Sequence, residues 1–130
     1  TSFIFQNPTG LDIKLSLGQN LTQTEFGSNF SSAYGLAQLI KNNLDSPIWQ
    51  LGEKNEVIGK DGVAHKIKHT NILRRELSNI YGAKTGFTDM AGGNLILIIE
   101  KPLGYPKLII ILGSSLEGRF NDAKTLLSLF

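Results

Sequence analysis

Two strongly apolar segments near the C-terminus constrain the possible folds of this chain more than any other feature. Residues 95–99 read Leu-Ile-Leu-Ile-Ile, and residues 107–112 read Lys-Leu-Ile-Ile-Ile-Leu. Short apolar runs bounded by turn-forming residues are typical of strands inside a sheet. The connecting residues 101–106 contain two prolines and a glycine, which predicts a hairpin loop. We therefore predict an antiparallel strand pair, with residues 107–112 buried on both faces.

Two other segments have the periodicity of amphipathic helices. Ser31 and Ser32 can cap a helix over residues 33–40. The apolar residues on one face of this helix and its continuation are Leu36, Leu39, Ile40 and Leu44. The second helix covers residues 117–130 and carries Phe120, Ala123, Leu126, Leu127 and Phe130 on one side. We expect the second helix to cover one face of the sheet.

The remaining segments predict shorter elements. Residues 2–5 resemble a short strand, and residues 48–51 fit one turn of helix. Residues 13–30 are polar and aperiodic, which favours a long surface loop. Residues 53–58 and 63–69 form a hairpin signal, because an Asp-Gly turn lies between them. The chain is thus predicted to be α+β, an antiparallel sheet with a C-terminal helix packed on one face.

Composition excludes several classes of function. The 130 residues suit one domain, and a net charge of +2 without a dense basic block argues against a nucleic-acid partner. The chain has no cysteine, which excludes disulfides, cysteine zinc sites and thiol catalysis. His65 and His69 share a face of a predicted strand but lack a carboxylate companion. We therefore predict neither a metal nor a cofactor.

The candidate functional residues lie in residues 82–88, Gly-Ala-Lys-Thr-Gly-Phe-Thr, just before the first apolar strand. On a strand at the edge of a sheet, Lys84 would supply a positive charge and Thr85 a hydroxyl able to hold a carboxylate oxygen. Gly86 would let another backbone approach, and the Phe87 N–H could face a developing oxyanion. An extended peptide could pair with such a strand. Judged alone, Lys-Thr-Gly fits an ordinary surface strand better.

Further segments in the same order carry a resemblance to a known family. Residues 82–88, with Ala-Gly-Gly-Asn-Leu at residues 91–95, closely resemble the third active-site motif of the D-alanyl-D-alanine carboxypeptidases. These low-molecular-weight penicillin-binding proteins are serine peptidases that trim peptidoglycan stem peptides. The other similar segments are residues 5–12, 31–37, 68–71 with Leu73, 112–114, 118–120 and 123–127. The resemblance therefore covers nearly the whole chain.

The resemblance implies a fold and roles for individual residues. The fold would be part of a β-lactamase/transpeptidase-like domain, with Lys84, Thr85 and Gly86 lining the cleft. Thr85 would bind the terminal carboxylate of the substrate, with Thr88 beside it. The Phe87 N–H would form half of the oxyanion hole.

Arg119 matches a family arginine that helps to position the same carboxylate, although a surface residue at a helix start fits the sequence equally well. The implied partners are peptidoglycan stem peptides ending in D-Ala-D-Ala and, for the full domain, β-lactams. The implied location is the extracytoplasmic cell envelope.

Two family motifs are missing from the sequence. No serine is followed three residues later by lysine, and no Ser-x-Asn occurs. Because both motifs precede Lys-Thr-Gly in the family, we expect residues 1–130 to be the C-terminal portion of a catalytic domain. Such a portion would be inactive alone, since the nucleophile is absent. It would also self-associate or need a missing N-terminal chain, because apolar area and a strand edge would be exposed.

Three alternatives stay open at the level of the sequence. The chain could belong to a related β-lactam-interacting serine hydrolase, whose distinguishing feature would lie upstream. It could be a noncatalytic module that binds peptidoglycan peptides through the same cleft wall. A structural α+β domain with a chance motif is the least favoured, because several segments match in order.

Overall fold

The computed structural model describes residues 3–16, 24–52, 54–100 and 104–129, with the backbone alone at residues 13–16 and 24–27. Within them lie three antiparallel sheets, with strand orders β1-β2, β3-β4 and β5-β6-β7. In chain order the elements are β1 (Ile13–Ser16), β2 (Thr24–Gly27), α1 (Ala33–Lys41), α2 (Ile48–Leu51), β3 (Glu56–Ile58), β4 (Ala64–Lys66), a 3-10 helix (Ile72–Arg75), β5 (Ile80–Thr88), β6 (Gly92–Ile99), β7 (Lys107–Ser114) and α3 (Gly118–Ser128).

The largest sheet contains the hydrophobic core of the chain. Strand β6 lies in the middle, antiparallel to β5 on one side and to β7 on the other. The buried core residues on the face toward α3 are Leu73, Leu95, Leu97, Ile99, Ile109, Ile111, Phe120 and Ala123. Each large apolar side chain buried here stabilises the fold by roughly 1.5–3 kcal/mol. The predicted packing of the C-terminal helix on one face of the sheet is confirmed.

The opposite face of the sheet is covered by α1. Ser32 caps this helix as predicted, because its Oγ accepts a hydrogen bond of 3.0 Å from the Gly35 N–H. Ile40 of α1 and Ile98 of β6 are 2% and 1% exposed. Strand β6 is therefore buried on both faces near its C-terminal end.

The apolar faces predicted from the sequence were wrong in two places. Leu112 is 42% exposed, so residues 107–112 are not buried on both faces. Strand β7 is an outer strand, and α1 reaches only part of its second face. Leu39 of α1 is 45% exposed, because the helix buries a narrower stripe than its apolar pattern predicted.

The prediction of a long loop over residues 13–30 was also wrong. Residues 13–16 and 24–27 pair as the antiparallel strands β1 and β2, with Ile13 opposite Gly27. Residues 13–16, Ile-Lys-Leu-Ser, alternate apolar and polar residues with the period of a strand, so this segment is not aperiodic. The predicted strand at residues 2–5 is reduced to one bridge between Ile4 and Phe30, and residue 2 lies outside the described residues.

The predicted hairpin between residues 53 and 69 is confirmed, with shorter strands than expected. Strands β3 and β4 pair from Glu56 opposite Lys66 to Ile58 opposite Ala64, and residue 53 lies outside the described residues. In the turn, Gly62 has φ of 78°, a conformation that favours glycine. This ribbon leads directly into the segment that faces β5.

Helix α2 sets the position of β5 from the other side. A side chain added at Gly82 would lie 2.7 Å from Trp49 Cβ, so only glycine lets the helix lie this close to the strand. The Trp49 ring is held by a hydrogen bond of 2.8 Å from Nε1 to the carbonyl of Asn43. The first half of β5 is therefore fixed just before the candidate functional residues begin.

Candidate active site

The predicted site residues lie in the second half of β5 and at the start of α3. Lys84 is exposed, whereas Thr85, Gly86 and Thr88 are half-buried. The Phe87 side chain is 46% exposed. Among the described residues, β5 has a strand neighbour on one side only, so it is an edge strand as predicted. A backbone edge of this kind can pair with an extended peptide.

Two threonine hydroxyls meet beside this strand. Thr70 Oγ1 and Thr85 Oγ1 are 2.6 Å apart, a distance typical of a hydrogen bond between hydroxyls. One of the two protons bridges the oxygens, and the other proton can be donated elsewhere. A hydroxyl that accepts one hydrogen bond while it donates another is a stronger donor. The pair therefore offers one strengthened donor at the edge of β5.

A recess of about 170 Å³ lies between β5 and the chain segment of residues 67–71. It is lined by Lys84 and Thr85 on the strand and by His69, Thr70 and Asn71 on the segment. The Lys84 ammonium donates to the carbonyl of Thr85, so its charge stays close to the strand. The recess is therefore rich in hydrogen-bond donors.

Two buried polar atoms near the recess lack partners within the described residues. Asn71 is 8% exposed, and its Oδ1 accepts a hydrogen bond of 3.1 Å from the Leu73 N–H. Its Nδ2 and the Nε2 of His69 have no hydrogen-bond partner in this part of the chain. Leaving such a group unpaired costs about 1–3 kcal/mol, so the burial of these two atoms is unfavourable for the fold.

The sequence did not identify His69, Thr70 and Asn71 as components of the site. The resemblance did include residues 68–73, but it assigned no role to them. They lie about 15 residues before Thr85 in the chain, so no local sequence pattern indicates the contact between Thr70 and Thr85. The 3-10 helix capped by Asn71 turns the chain so that its preceding residues face β5.

Arg119 reaches the same strand from α3. Its Nη1 donates a hydrogen bond of 2.7 Å to the carbonyl of Gly86, 33 residues earlier in the chain. The residue is 6% exposed, so the alternative of an ordinary surface residue at a helix start is wrong. The structure thus brings Arg119 to Gly86, although by a backbone contact that the sequence did not predict.

Thr88 and Asp12 fix the turn between β5 and β6. The Thr88 hydroxyl accepts a hydrogen bond of 3.0 Å from the Ala91 N–H and also binds the Asp12 carboxylate. Asp12 accepts further hydrogen bonds from Ser28 Oγ at 2.8 Å and from the Met90 N–H at 3.4 Å. The Thr88 hydroxyl is thus engaged with the turn and with Asp12 in this structure. Its role as a substrate contact stays a prediction.

The described residues contain no group of three or more histidine, aspartate or glutamate side chains that could hold a metal ion. Over the same residues, no helix is long and apolar enough to cross a membrane.

We predict that Ser28 controls the ionisation of Asp12. The hydrogen bond from Ser28 is the main reason that the pKa of Asp12 lies below its ordinary value of 3.8, with smaller lowering by Thr88 and Met90 against partial desolvation. In a carbon-detected NMR titration, Ser28→Ala should move this pKa back toward 3.8, and Thr88→Val should move it less. The reverse order would contradict the assignment.

The lowered pKa of Asp12 also determines how its contribution to stability depends on pH. A carboxyl whose pKa is lower in the folded chain stabilises that chain above pH 3.8. This contribution is lost as the pH falls through the folded-state pKa, which lies below 3.8. Urea unfolding at several pH values should therefore show a smaller difference between wild type and Ser28→Ala below that pKa than at pH 6.

Comparisons with known proteins bear directly on this site. The sequence model of the D-alanyl-D-alanine carboxypeptidase family, peptidase S11, matches residues 1–111. Two solved structures of penicillin-binding protein D2 from Listeria monocytogenes, in cefotaxime-bound and ampicillin-bound forms, are similar over 78% of this chain. Each is 28% identical with a TM-score of 0.62, and the match spans 41% and 42% of those chains. A comparison with curated protein sequences gave no match.

The family model covers far more than half of the chain, and the similar structures have the transpeptidase-like fold that the resemblance predicted. The Lys-Thr-Gly stretch, which lies in the edge strand β5, is within the matched residues. The chain therefore belongs to the D-alanyl-D-alanine carboxypeptidase family of serine peptidases.

Proposed function

We propose that this chain supplies the Lys-Thr-Gly wall of the active-site cleft in a serine-type D-alanyl-D-alanine carboxypeptidase. The observation that carries the proposal is the open edge of β5, on which Lys84 and the Thr70–Thr85 hydroxyl pair lie together. The substrate class is a peptidoglycan stem peptide that ends in D-Ala-D-Ala. The enzyme would be located in the extracytoplasmic cell envelope, where peptidoglycan lies.

The terminal carboxylate of the peptide binds at Thr85 in this proposal. The free proton of the Thr70–Thr85 pair is donated to one carboxylate oxygen, and the positive charge of Lys84 lies nearby. Hydrogen bonds to an ionised acceptor are roughly twice as strong as neutral ones. The peptide backbone pairs with the outer edge of β5, which orients the scissile bond along the strand.

Acyl transfer needs a nucleophile and an oxyanion hole in addition to this wall. The Phe87 N–H would stabilise the oxyanion of the tetrahedral intermediate, and removal of one such donor typically costs about 10²–10³ in kcat. The serine nucleophile, its lysine base and the Ser-x-Asn motif would come from another portion of the domain, since the sequence contains neither motif. The match spans only 41% and 42% of the two penicillin-binding protein D2 chains, which is consistent with a further portion of this kind. We propose that β-lactams acylate the completed domain, as the bound forms of penicillin-binding protein D2 suggest.

Covalent labelling with a fluorescent penicillin tests whether the nucleophile lies outside these 130 residues. We expect no label on the 130-residue chain and a labelled band when the portion with both missing motifs is joined or added. The reason is that the penicillin needs a serine activated by lysine. Label on the chain alone would contradict the proposed missing nucleophile. Absence of label in both samples would favour a noncatalytic peptide-binding module, for which the missing motifs are the main support.

Substitution of Thr85 tests the carboxylate site in the completed enzyme. Thr85→Val should lower kcat/KM for a peptide with a free C-terminal carboxylate by roughly 10- to 100-fold, because a hydrogen bond to a charged group is lost. The loss should be smaller for the C-terminal amide of the same peptide. Thr125→Val is a matched control, since Thr125 is exposed on α3 and its hydroxyl binds only the Asn121 carbonyl in the described chain. Equal losses for both peptides would contradict a role in carboxylate binding.

The exposed apolar side chains lead to a prediction about association. Phe5, Ile48 and Ile58 are 71%, 62% and 74% exposed, and the edge of β5 is open in the described residues. Such surface promotes association with a second copy or with the remainder of the domain. Light scattering should therefore give a mass above the 14.2 kDa of one chain, and the completed domain should be monomeric. A stable 14.2 kDa monomer of the chain alone would contradict this expectation.

A further inference from the structure

No ion pair within the described residues explains the burial of Arg119. In the part of the chain that the structure describes, no carboxylate lies within ion-pair distance of it. Its guanidinium lies 4.7 Å from the centre of the Phe120 ring, and its buried Nε lacks a hydrogen-bond partner there. Burying a charged group costs considerable free energy unless it is paired. The one strong polar contact is the hydrogen bond of 2.7 Å from Nη1 to the Gly86 carbonyl.

The Gly86 carbonyl belongs to the same peptide unit as the Phe87 N–H. The described backbone contains no cis peptide bond, and in a trans unit the carbonyl and the N–H point in opposite directions. Arg119 therefore holds this unit from the side opposite to the N–H. The contact fixes the plane of the peptide, because the six atoms of the unit move together.

The contact also changes the strength of the N–H as a donor. A cation bound at the oxygen draws electron density along the conjugated amide, so the nitrogen becomes more positive. Charge-assisted hydrogen bonds of this kind are the strong ones in proteins. Arg119 is thus placed to orient the Phe87 N–H and to strengthen it with the same bond.

We propose that Arg119 is a positioning residue for the oxyanion hole, acting through the Gly86–Phe87 peptide. This inference rests on the proposed function, because it assumes that the Phe87 N–H faces the reacting carbonyl. It differs from the role implied by the resemblance, in which the arginine positions the substrate carboxylate. A bidentate carboxylate contact needs two adjacent guanidinium N–H groups facing the cleft. Arg119 is instead only 6% exposed, and one of its terminal nitrogens is committed to Gly86.

The backbone contact can be tested on the 130-residue chain itself. The ¹⁵N chemical shift of Phe87 reports on hydrogen bonding at the Gly86 carbonyl, and it does not depend on catalysis. We expect a clear shift in Arg119→Met, a partial return in Arg119→Lys, and no change in Arg75→Met. Arg75 is the matched control, since it is an exposed arginine on the 3-10 helix. An unchanged Phe87 resonance in a folded Arg119→Met chain would overturn the proposed contact.

The catalytic consequence is tested in the completed enzyme, after wild type has been labelled with penicillin. The probe is a peptide boronic acid without a carboxylate, which adds to the serine and places one oxygen in the oxyanion hole. Arg119→Met should weaken its binding and lower kcat by about 10- to 100-fold, with little change in KM. Arg119→Lys should recover part of both losses, because it keeps a cation near the carbonyl. Unchanged boronate affinity together with a raised KM would overturn the proposal in favour of direct carboxylate binding.

A double substitution distinguishes an effect of Arg119 on the oxyanion from an effect on the substrate carboxylate. If Arg119 acts on the oxyanion and Thr85 on the carboxylate, the effects of Arg119→Lys and Thr85→Val on kcat/KM should multiply. If both residues hold the same carboxylate, the double variant should lose much less than the product. This comparison uses the conservative lysine variant, so it holds even where Arg119→Met does not fold. A wild-type enzyme without penicillin label would instead show that the proposed function itself is wrong.

Discussion

The burial of β6 between two helices is the constraint on which the rest of the structure depends. Leu95 and Leu97 face the core under α3, and Ile98 faces α1, each with at most 1% exposure. A slip of β6 by one residue would exchange its two faces, so its register is strongly fixed. Since Thr85 lies opposite Leu95, the register of β6 also sets the position of the Lys-Thr-Gly stretch. The packing of the core therefore fixes where one wall of the candidate site lies.

Unpaired polar atoms concentrate around this wall. The three buried side-chain atoms without partners in the described residues belong to His69, Asn71 and Arg119. Two of these residues line the recess beside Thr85, and the third holds the carbonyl of Gly86. Each such atom is buried without a partner in the described residues, which costs about 1–3 kcal/mol. The wall that holds the Lys-Thr-Gly stretch therefore carries an energetic cost that the packed core beneath it offsets.

Agreement between sequence and structure depended on the kind of contact involved. The antiparallel sheet, the capped helix α1 and the covering helix α3 followed from periodicity, because burial of one face leaves a pattern in the sequence. Strand β1 was missed although its pattern is present, since residues 11–16, Leu-Asp-Ile-Lys-Leu-Ser, alternate apolar and polar residues with the period of a strand. The exposure of Leu112 was missed because the composition of a strand does not reveal how far a covering helix extends.

The sequence by itself determined the fold class and the stretch that carries the chemistry. Lys84, Thr85, Gly86 and Phe87 could be named from local residue types and from the order of neighbouring segments. Only the tertiary structure decided what these residues contact. The pairing of Thr70 with Thr85 and the reach of Arg119 to Gly86 join segments 15 and 33 residues apart. Such contacts arise when packing brings distant segments together, and a single sequence contains no local pattern that specifies them.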